Sequence, residues 1–184
     1  MDLIVDDHLL LQILLNGEPP NFRAPGARIF TTGLWYHRLC RAVSIHEVTG
    51  SMSRRLGRAD PAVAAAATRA ITVLPETIGL VSLRELAWPM AQLLQDGVRL
   101  NLMSLEALAA AESQGAELCL AAADENPQLL DAAASRGTPA RLCSAVDSAR
   151  PRALMLRGCA NATLRRFAAA SIWRLRKPST NGAE

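Results

Sequence analysis

Residues 3–15 of the chain read LIVDDHLLLQILL, and this stretch decides the fold. Three apolar residues come first, two aspartates and a histidine follow, and leucines and an isoleucine then recur at the density of a buried helix. The pattern predicts a short buried strand, an acidic turn at Asp6 and Asp7, and a helix. In an α/β protein, such a turn lies at the carboxyl edge of the sheet, where ligands bind.

The rest of the chain continues the alternation of helices and strands. Residues 16–26 are rich in Gly, Pro and Asn, which predicts an exposed loop. Helices are predicted from Thr31 or Thr32 as the N-cap, from Pro61 behind an Asp60 cap, from Ser82 or Leu83 to about Gln95, from a Ser104 cap to Gly115, and over 128–135. Strands are predicted at 117–122 and 139–143, and residues 78–83 form either a short strand or an irregular connection. This order predicts an α/β fold, with a short parallel sheet flanked by helices on both faces.

Length and composition limit the possible classes of protein. The chain has 184 residues, of which half are hydrophobic, so it can fold as one domain with a sizeable core. We expect that domain to span residues 1–146. Residues 147–184 are predicted to be a C-terminal extension with one amphipathic basic helix at 162–177 and a disordered end. Aromatic residues make up 4% of the chain, which argues against an all-β protein.

Charge, cysteine spacing and hydropathy indicate the compartment. The net charge of +3 is too small to imply a nucleic-acid coat by itself. The four cysteines form no C-x-x-C pair, so neither a zinc module nor a disulfide scaffold is indicated. No apolar stretch is long enough to span a bilayer, and the first residues lack the features of a secretion signal. We therefore expect a cytoplasmic protein with reduced thiols and no membrane association.

Three acidic residues are predicted to meet at the carboxyl edge of the sheet. Asp6 and Asp124 follow predicted strands, and Glu106 lies in the first turn of a predicted helix. Clustered carboxylates repel one another unless a cation neutralises them. Mg²⁺ or Mn²⁺ does so with oxygen ligands and activates water against a phosphodiester. These residues therefore predict metal-dependent hydrolysis of nucleic acid.

Several motifs in order resemble the PIN domain family, which includes the VapC ribonuclease toxins. They are LIVD at 3–6 before a leucine-rich helix, LEALAAA at 105–111 and GAELCLAAAD at 115–124, followed by Leu129-Leu130, Ala133, Gly137 and Pro139. The resemblance covers residues 1–143 in outline. It implies a metal-dependent endoribonuclease in which Asp6, Glu106 and Asp124 hold Mg²⁺ or Mn²⁺. It also implies RNA as substrate, a homodimer and a small antitoxin protein as partner.

The chain departs from the PIN pattern at three places. Asp7 stands where these nucleases usually have Thr or Ser, and Glu106 stands where they usually have Asp. They also carry a glutamate in the helix after the first loop, but residues 31–41 contain no acid. Asp7, Glu85 or Glu125 are candidates to compensate. A second hypothesis is therefore a catalytically degenerate PIN-like domain that binds RNA or protein, and a third is a small-molecule-binding α/β protein.

The same residues also have purely structural interpretations. Asp6 is well placed to cap the following helix, Glu106 to complement a helix dipole, and Asp124 to lie in an ordinary turn. His8 is either a ligand, a base or a surface residue. Trp35, Arg38 and Arg41 form a candidate contact surface for single-stranded RNA, since aromatic rings stack on bases and arginines bind phosphates. Such a cluster more often belongs to the core on one face of its helix.

Overall fold

A computed structural model describes residues 1–44 and 51–144 of the chain. Within these residues, strands and helices alternate along most of the sequence. The strands are β1 (Leu3–Val5), β2 (Ile29–Thr32), β3 (Ile78–Val81), β4 (Glu117–Ala121) and β5 (Ala140–Cys143). The helices are α1 (Asp7–Asn16), α2 (Gly33–Ser44), α3 (Ser51–Arg58), α4 (Pro61–Thr72), α5 (Leu83–Gln95), α6 (Leu102–Gln114) and α7 (Pro127–Ser135), with a short 3-10 turn at Ala122–Asp124.

The described strands form one parallel sheet in the order β3-β2-β1-β4-β5. Strand β1 lies at the centre, where Leu3 pairs with Ile29 on one side and with Glu117 on the other. The chain runs outward from β1 through β2 to β3, and then returns to build β4 and β5 on the opposite side. The reversal makes the carboxyl ends of β1 and β4 the switch point of the sheet, which is the usual ligand-binding position in such folds.

Helices cover both faces of the sheet, so the predicted α/β class is confirmed. Successive strand residues point to opposite faces: Ile4 and Leu118 join the core formed with α5, α6 and α7, whereas Leu3 and Cys119 join the core formed with α1 and α4. Buried strands of this kind carry nearly continuous apolar runs because both faces are covered. This explains the sequence of β1, whose three residues are all buried.

Several predicted helix ends are confirmed by their caps. The carboxylate of Asp60 accepts hydrogen bonds from the N–H groups of Ala62 and Val63 at the start of α4. Ser82 caps α5, which runs through Pro89 to Gln95 as predicted. Gly115 ends α6 in the left-handed conformation at φ 56°, which glycine adopts at low cost.

Other local predictions were wrong or incomplete. The N-cap of α6 is Asn101, whose Oδ1 accepts a hydrogen bond from the N–H of Ser104. Ser104 therefore lies in the first turn of the helix and is not its cap. The strand β2 was not predicted. Thr32 ends this strand and its hydroxyl also accepts the N–H of Trp35 at 3.4 Å, so the predicted cap is real but a strand precedes it. Of the two alternatives for residues 78–83, a short strand and an irregular connection, the structure has the strand, β3.

The chain divides into two units, Met1–Ala153 and Leu154–Glu184, and the described residues belong to the first. The predicted C-terminal extension at 147–184 and its basic helix lie outside the described residues. Among the helices that are described, none combines the length and the apolar character required to cross a bilayer.

Candidate functional site

Asp6 joins three elements at the switch point of the sheet. It follows β1 and caps α1, since its Oδ1 accepts the N–H of Leu9 at 2.7 Å. Its Oδ2 accepts the N–H of Ala121 at the end of β4, also at 2.7 Å. The backbone N–H of Asp6 in turn donates to the carbonyl oxygen of Cys119 at 3.2 Å. The structural interpretation of Asp6 as a helix cap is therefore what the contacts display.

Burial changes the acidity of Asp6. The residue is 3% exposed. Loss of solvent raises the pKa of Asp6 to about 6, while the N–H groups of Leu9 and Ala121 act in the opposite direction and the charge of Asp7 adds to the increase. Asp6 therefore holds its proton to a higher pH than an exposed aspartate does.

Asp7 forms a buried ion pair with Arg38. Asp7 lies in the first turn of α1 and its side chain is fully buried, whereas Arg38 comes from α2 and is one-third exposed. The Nε and Nη2 atoms of Arg38 donate to the two carboxylate oxygens of Asp7. Burial alone would raise the pKa of Asp7, but hydrogen bonds from Arg38 and His8 outweigh it and lower that pKa below its ordinary value. Two-point binding of this kind fixes both the charge and the orientation of the guanidinium.

Arg38 also reaches Asp124, and His8 shares the same oxygen. Nη2 of Arg38 donates to Oδ2 of Asp124 at 2.9 Å. Nδ1 of His8 lies 3.1 Å from this Oδ2 atom and 3.5 Å from Oδ1 of Asp7. The hydrogen bond with Asp7 raises the pKa of His8 despite burial, and the charge of Asp124 contributes. We call Asp7, His8, Arg38 and Asp124 the Arg38 cluster.

Three members of the Arg38 cluster are arranged like the ligands of a metal ion, and the fourth member, Arg38, binds two of them. One ligand atom each from Asp7, His8 and Asp124 lies within 4.8 Å of the others. However, Arg38 occupies both oxygens of Asp7 and one oxygen of Asp124. Both oxygens of Asp6 accept backbone N–H groups. A fixed positive charge repels a divalent cation, so Arg38 competes with Mg²⁺ or Mn²⁺ for this donor set, and a cation would have to displace it.

Glu106 lies behind the cleft and caps α2. Its side chain is fully buried, and Oε2 accepts the N–H of Leu34 at 2.9 Å. Its Oε1 faces Gly33, where an added Cβ would lie 3.3 Å from that oxygen. The contact joins α6 to the start of the helix that carries Trp35 and Arg38. Oε2 of Glu106 therefore caps a helix, whereas Oε1 is buried with no hydrogen-bond partner among the described residues. The predicted role of Glu106 as a metal ligand stays a prediction.

A cleft of about 460 Å³ opens at the switch point. It contains Asp6, Asp124, Trp35 and Arg38, so four of the six predicted site residues share it. Arg41 is exposed on α2, and neither Arg41 nor Glu106 belongs to the described lining of this cleft. The other lining residues come from the starts of α6 and α7 and from β4: Asn101, Met103, Ser104, Leu120, Glu125, Asn126, Pro127, Gln128 and Leu129.

The starts of α6 and α7 are tied together at the rim of the cleft. Nδ2 of Asn126 donates to the hydroxyl of Ser104 at 2.9 Å, and Oδ1 of Asn126 caps α7 by accepting the N–H of Leu129 at 3.1 Å. Asn101 and Gln128 are exposed beside them. The cleft therefore has a rigid rim with amide groups available to a ligand.

Comparison with known proteins gives no family assignment: the chain matched neither a family model nor a curated protein. The fold and the site define the class at a coarser level. The described part of the chain is an α/β domain with a five-stranded parallel sheet, and it carries a charged cleft at its switch point.

The role of Arg38 as a counter-ion is the feature that the sequence analysis missed. It predicted that Arg38 contacts RNA, although two features of the sequence favour an ion pair of Arg38 within the protein. Residues 31–41 lack the expected acid, and Asp7 is an additional acid beside Asp6. The second helix carries a basic residue and no acid over 31–41, and a second acid follows Asp6 after the first strand. This complementary pair of charges could have suggested the ion pair.

Proposed function

We propose that this chain is a PIN-like domain that binds single-stranded RNA in its switch-point cleft without hydrolysing it. The carrying observation is Arg38, which donates to Asp7 and Asp124 and so supplies the positive charge that a divalent cation would otherwise supply. The negative charges of Asp7 and Asp124 are therefore partly neutralised by a side chain of the protein and do not require a metal ion. This corresponds to the degenerate form of the PIN-like hypothesis.

The chemistry of the cleft supports RNA as the ligand. Single-stranded RNA is recognised through base edges by amide side chains and through base faces by aromatic rings or guanidinium planes. Asn101 and Gln128 offer amides at the rim, and Arg38 offers a guanidinium plane inside the cleft. Trp35 also borders the cleft, but it belongs to the apolar core and is only 5% exposed, so it is not the stacking surface. Arg54, Arg55 and Arg58 on or at the end of α3 add to the positive charge of the chain.

Metal-dependent endoribonuclease activity is the second candidate, and one observation favours it. Asp6 and Asp124, which the PIN resemblance places at the metal, line the same cleft. Catalysis would require Arg38 to leave Asp124, so the two candidates differ in what Mn²⁺ does to the protein. The resemblance also leads us to propose a cytoplasmic homodimer that binds a small antitoxin protein. The mass of the complex purified from cells tests both the dimer and the bound antitoxin.

Binding and cleavage can be measured on the same samples. The full-length chain is titrated into a fluorescein-labelled single-stranded RNA of mixed sequence, and anisotropy and gel mobility are followed with and without Mn²⁺. We expect binding with no Mn²⁺-dependent cleavage and no Mn²⁺-dependent increase in melting temperature. Gln128→Ala should weaken binding by about threefold, the value of one hydrogen bond. Arg84→Gln, which alters an exposed residue of α5, is the matched control.

Two results would overturn parts of the proposal. Cleavage that requires Mn²⁺ and is lost in both Asp6→Asn and Asp124→Asn establishes the nuclease. An anisotropy that stays at the free-RNA value throughout the titration removes RNA as the ligand.

A further inference from the structure

Two cysteines lie side by side on the face of the sheet that α1 and α4 cover. In the register of β4 and β5, Cys119 pairs with Arg141 and Ala121 pairs with Cys143. Residues that are two apart on a strand share a face, so Cys119 and Cys143 are diagonal neighbours on that face. Cys119 is fully buried, whereas Cys143, at the end of β5, is half-buried. One thiol is therefore accessible and its neighbour is not.

The surroundings favour a thiolate at Cys143. A hydrogen bond with Cys119 lowers the pKa of Cys143 to about 7, burial acts against this, and the positive charge of Arg141 assists it. The same hydrogen bond, together with burial, raises the pKa of Cys119. Arg141 is held in place by Glu117 at 3.1 Å and by the carbonyl oxygen of Phe22 at 2.6 Å. Arg141 and Cys143 are two residues apart on β5 and so share a face of that strand. Partly exposed thiols near a cationic side chain are the ones that become reactive.

We propose that Cys143 is a peroxide-reactive thiol and that Cys119 is its resolving partner. The thiolate of Cys143 attacks one oxygen of hydrogen peroxide, the O–O bond breaks, and the products are a sulfenic acid and hydroxide. The sulfur of Cys119 then attacks the sulfenic sulfur, and the Cys119 proton passes to the departing hydroxyl group. The S–O bond breaks, a Cys119–Cys143 disulfide forms, and water leaves. Peroxide is the oxidant, and the two thiols supply two electrons.

The position of the pair makes the disulfide strained and therefore reversible. From the rise along a strand and the spacing between strands, diagonal neighbours have Cα atoms about 8 Å apart. A disulfide needs a separation below about 7 Å. The end of β5 must therefore move toward β4, and β5 is an edge strand among the described residues, with β4 as its neighbour. Strained disulfides are more easily reduced than structural ones, which suits a regulatory site.

Oxidation here would act on the strand that holds Asp6. The carbonyl oxygen of Cys119 accepts the N–H of Asp6, and the N–H of Ala121 binds the Asp6 carboxylate. The end of β5 is the part that moves, and any pull that the new bond transmits to β4 would change both contacts. The chemistry of the pair does not depend on the proposed function, so either one can fail while the other stands.

The test isolates the pair in a Cys40→Ser, Cys159→Ser background. The protein is treated with hydrogen peroxide in the presence or absence of dimedone, and intact mass and peptide mapping follow the products. We expect a disulfide that links Cys119 to Cys143, with the loss of two hydrogen atoms. In Cys119→Ser, which keeps a hydroxyl donor beside Cys143 and removes the resolving sulfur, the sulfenic acid at Cys143 should accumulate and be trapped by dimedone. In Cys143→Ser, Cys119 should stay unlabelled.

A second measurement separates reactivity from folding. Alkylation of Cys143 by iodoacetamide at neutral pH should be about tenfold faster in the native background protein than in the same protein in urea, because the native thiol is more ionised. Circular dichroism confirms that each variant is folded. Equal native and denatured rates, or dimedone labelling at Cys119 in place of Cys143, would refute the proposal.

Discussion

Nη2 of Arg38 lies 2.9 Å from Oδ2 of Asp124, and this contact joins residues 86 positions apart at the mouth of the cleft. The same guanidinium holds Asp7, whose side chain is fully buried. The acidic edge therefore contains its own cation. Whether the cleft binds RNA, cleaves RNA or does neither depends first on how strongly Asp7 and Asp124 hold Arg38.

The stability of the Arg38 cluster is tested by removing one charge and then both. Arg38→Gln should lower the free energy of unfolding by about 3 kcal/mol, because it removes the guanidinium that binds both oxygens of the buried Asp7 carboxylate and leaves only His8 beside it. Adding Asp7→Asn removes that charge and should restore most of the loss. Urea denaturation measures both variants, with Arg84→Gln as the exposed control. Equal losses in the single and double variants would show that the charge of Asp7 does not need Arg38.

The raised pKa of Asp6 predicts a pH dependence of stability. Asp6 binds its proton more tightly in the fold than in the unfolded chain, where its pKa is near 3.8. Its contribution to stability is therefore fully present below pH 3.8 and is lost as pH rises through about 6. The maximum change is about 3 kcal/mol.

The effect of Asp6 is isolated by comparison with Asp6→Asn. The lowered pKa of Asp7 has the opposite sign, since its contribution is lost as pH falls. The difference in free energy of unfolding between the native chain and Asp6→Asn largely cancels that contribution. We expect the native chain to lose stability relative to the variant as pH rises from about 4 to above 6. A difference that stays constant with pH would mean that Asp6 is ionised normally in the fold.

Glu106 distinguishes a structural cap from a metal ligand. Glu106→Ala removes the acceptor for Leu34 and opens a cavity at a fully buried position, so it should cost about 2 kcal/mol or more. Glu106→Gln keeps an acceptor oxygen and should stay within about 1 kcal/mol of the native chain. Thermal unfolding with and without Mn²⁺ measures both variants. A Mn²⁺-dependent stabilisation that is present in the native chain and absent in Glu106→Gln would identify Glu106 as a ligand instead.

Gly79 has a steric role in the pairing of β2 with β3. It pairs directly with Phe30, and a Cβ at position 79 would overlap the Cδ1 and Cε1 atoms of that ring. The ring itself lies 4.9 Å from the guanidinium carbon of Arg28. Gly79→Ala should therefore destabilise the fold by about 1–3 kcal/mol, the usual cost of overpacking. Combining it with Phe30→Leu should recover part of that loss in urea denaturation, and additive losses would indicate a backbone cause.

The strands and helices with strong local signals were predictable from the sequence. Residues 3–15 fixed the first strand, the turn and α1, because apolar density and paired acids act over short distances. Asp60 before Pro61 and Gly115 after α6 likewise marked ends through local backbone chemistry. The strand β2 was not predicted because its four residues lead directly into the next helix. Thr32 is both the last residue of this strand and the residue whose hydroxyl accepts the N–H of Trp35 in α2.

The site was predictable in position and not in detail. The topology brings Asp6 and Asp124 to one edge, and strand-end reasoning anticipates this. The ion pair of Asp7 with Arg38 and the bond from Glu106 to Leu34 join residues 31 and 72 positions apart. Helix periodicity says which side of α2 a residue occupies, and it carries no information about which distant carboxylate that side meets.

The central place of β1 sets an order of events during synthesis. Leu3 to Val5 leave the ribosome more than a hundred residues before their partners Glu117 to Cys119. A nascent chain that ends before β4 exposes one edge of its most apolar strand and lacks the N–H of Ala121 for Asp6. Such unpaired edges promote aggregation. C-terminal truncations that remove β4 should therefore accumulate in inclusion bodies or be degraded.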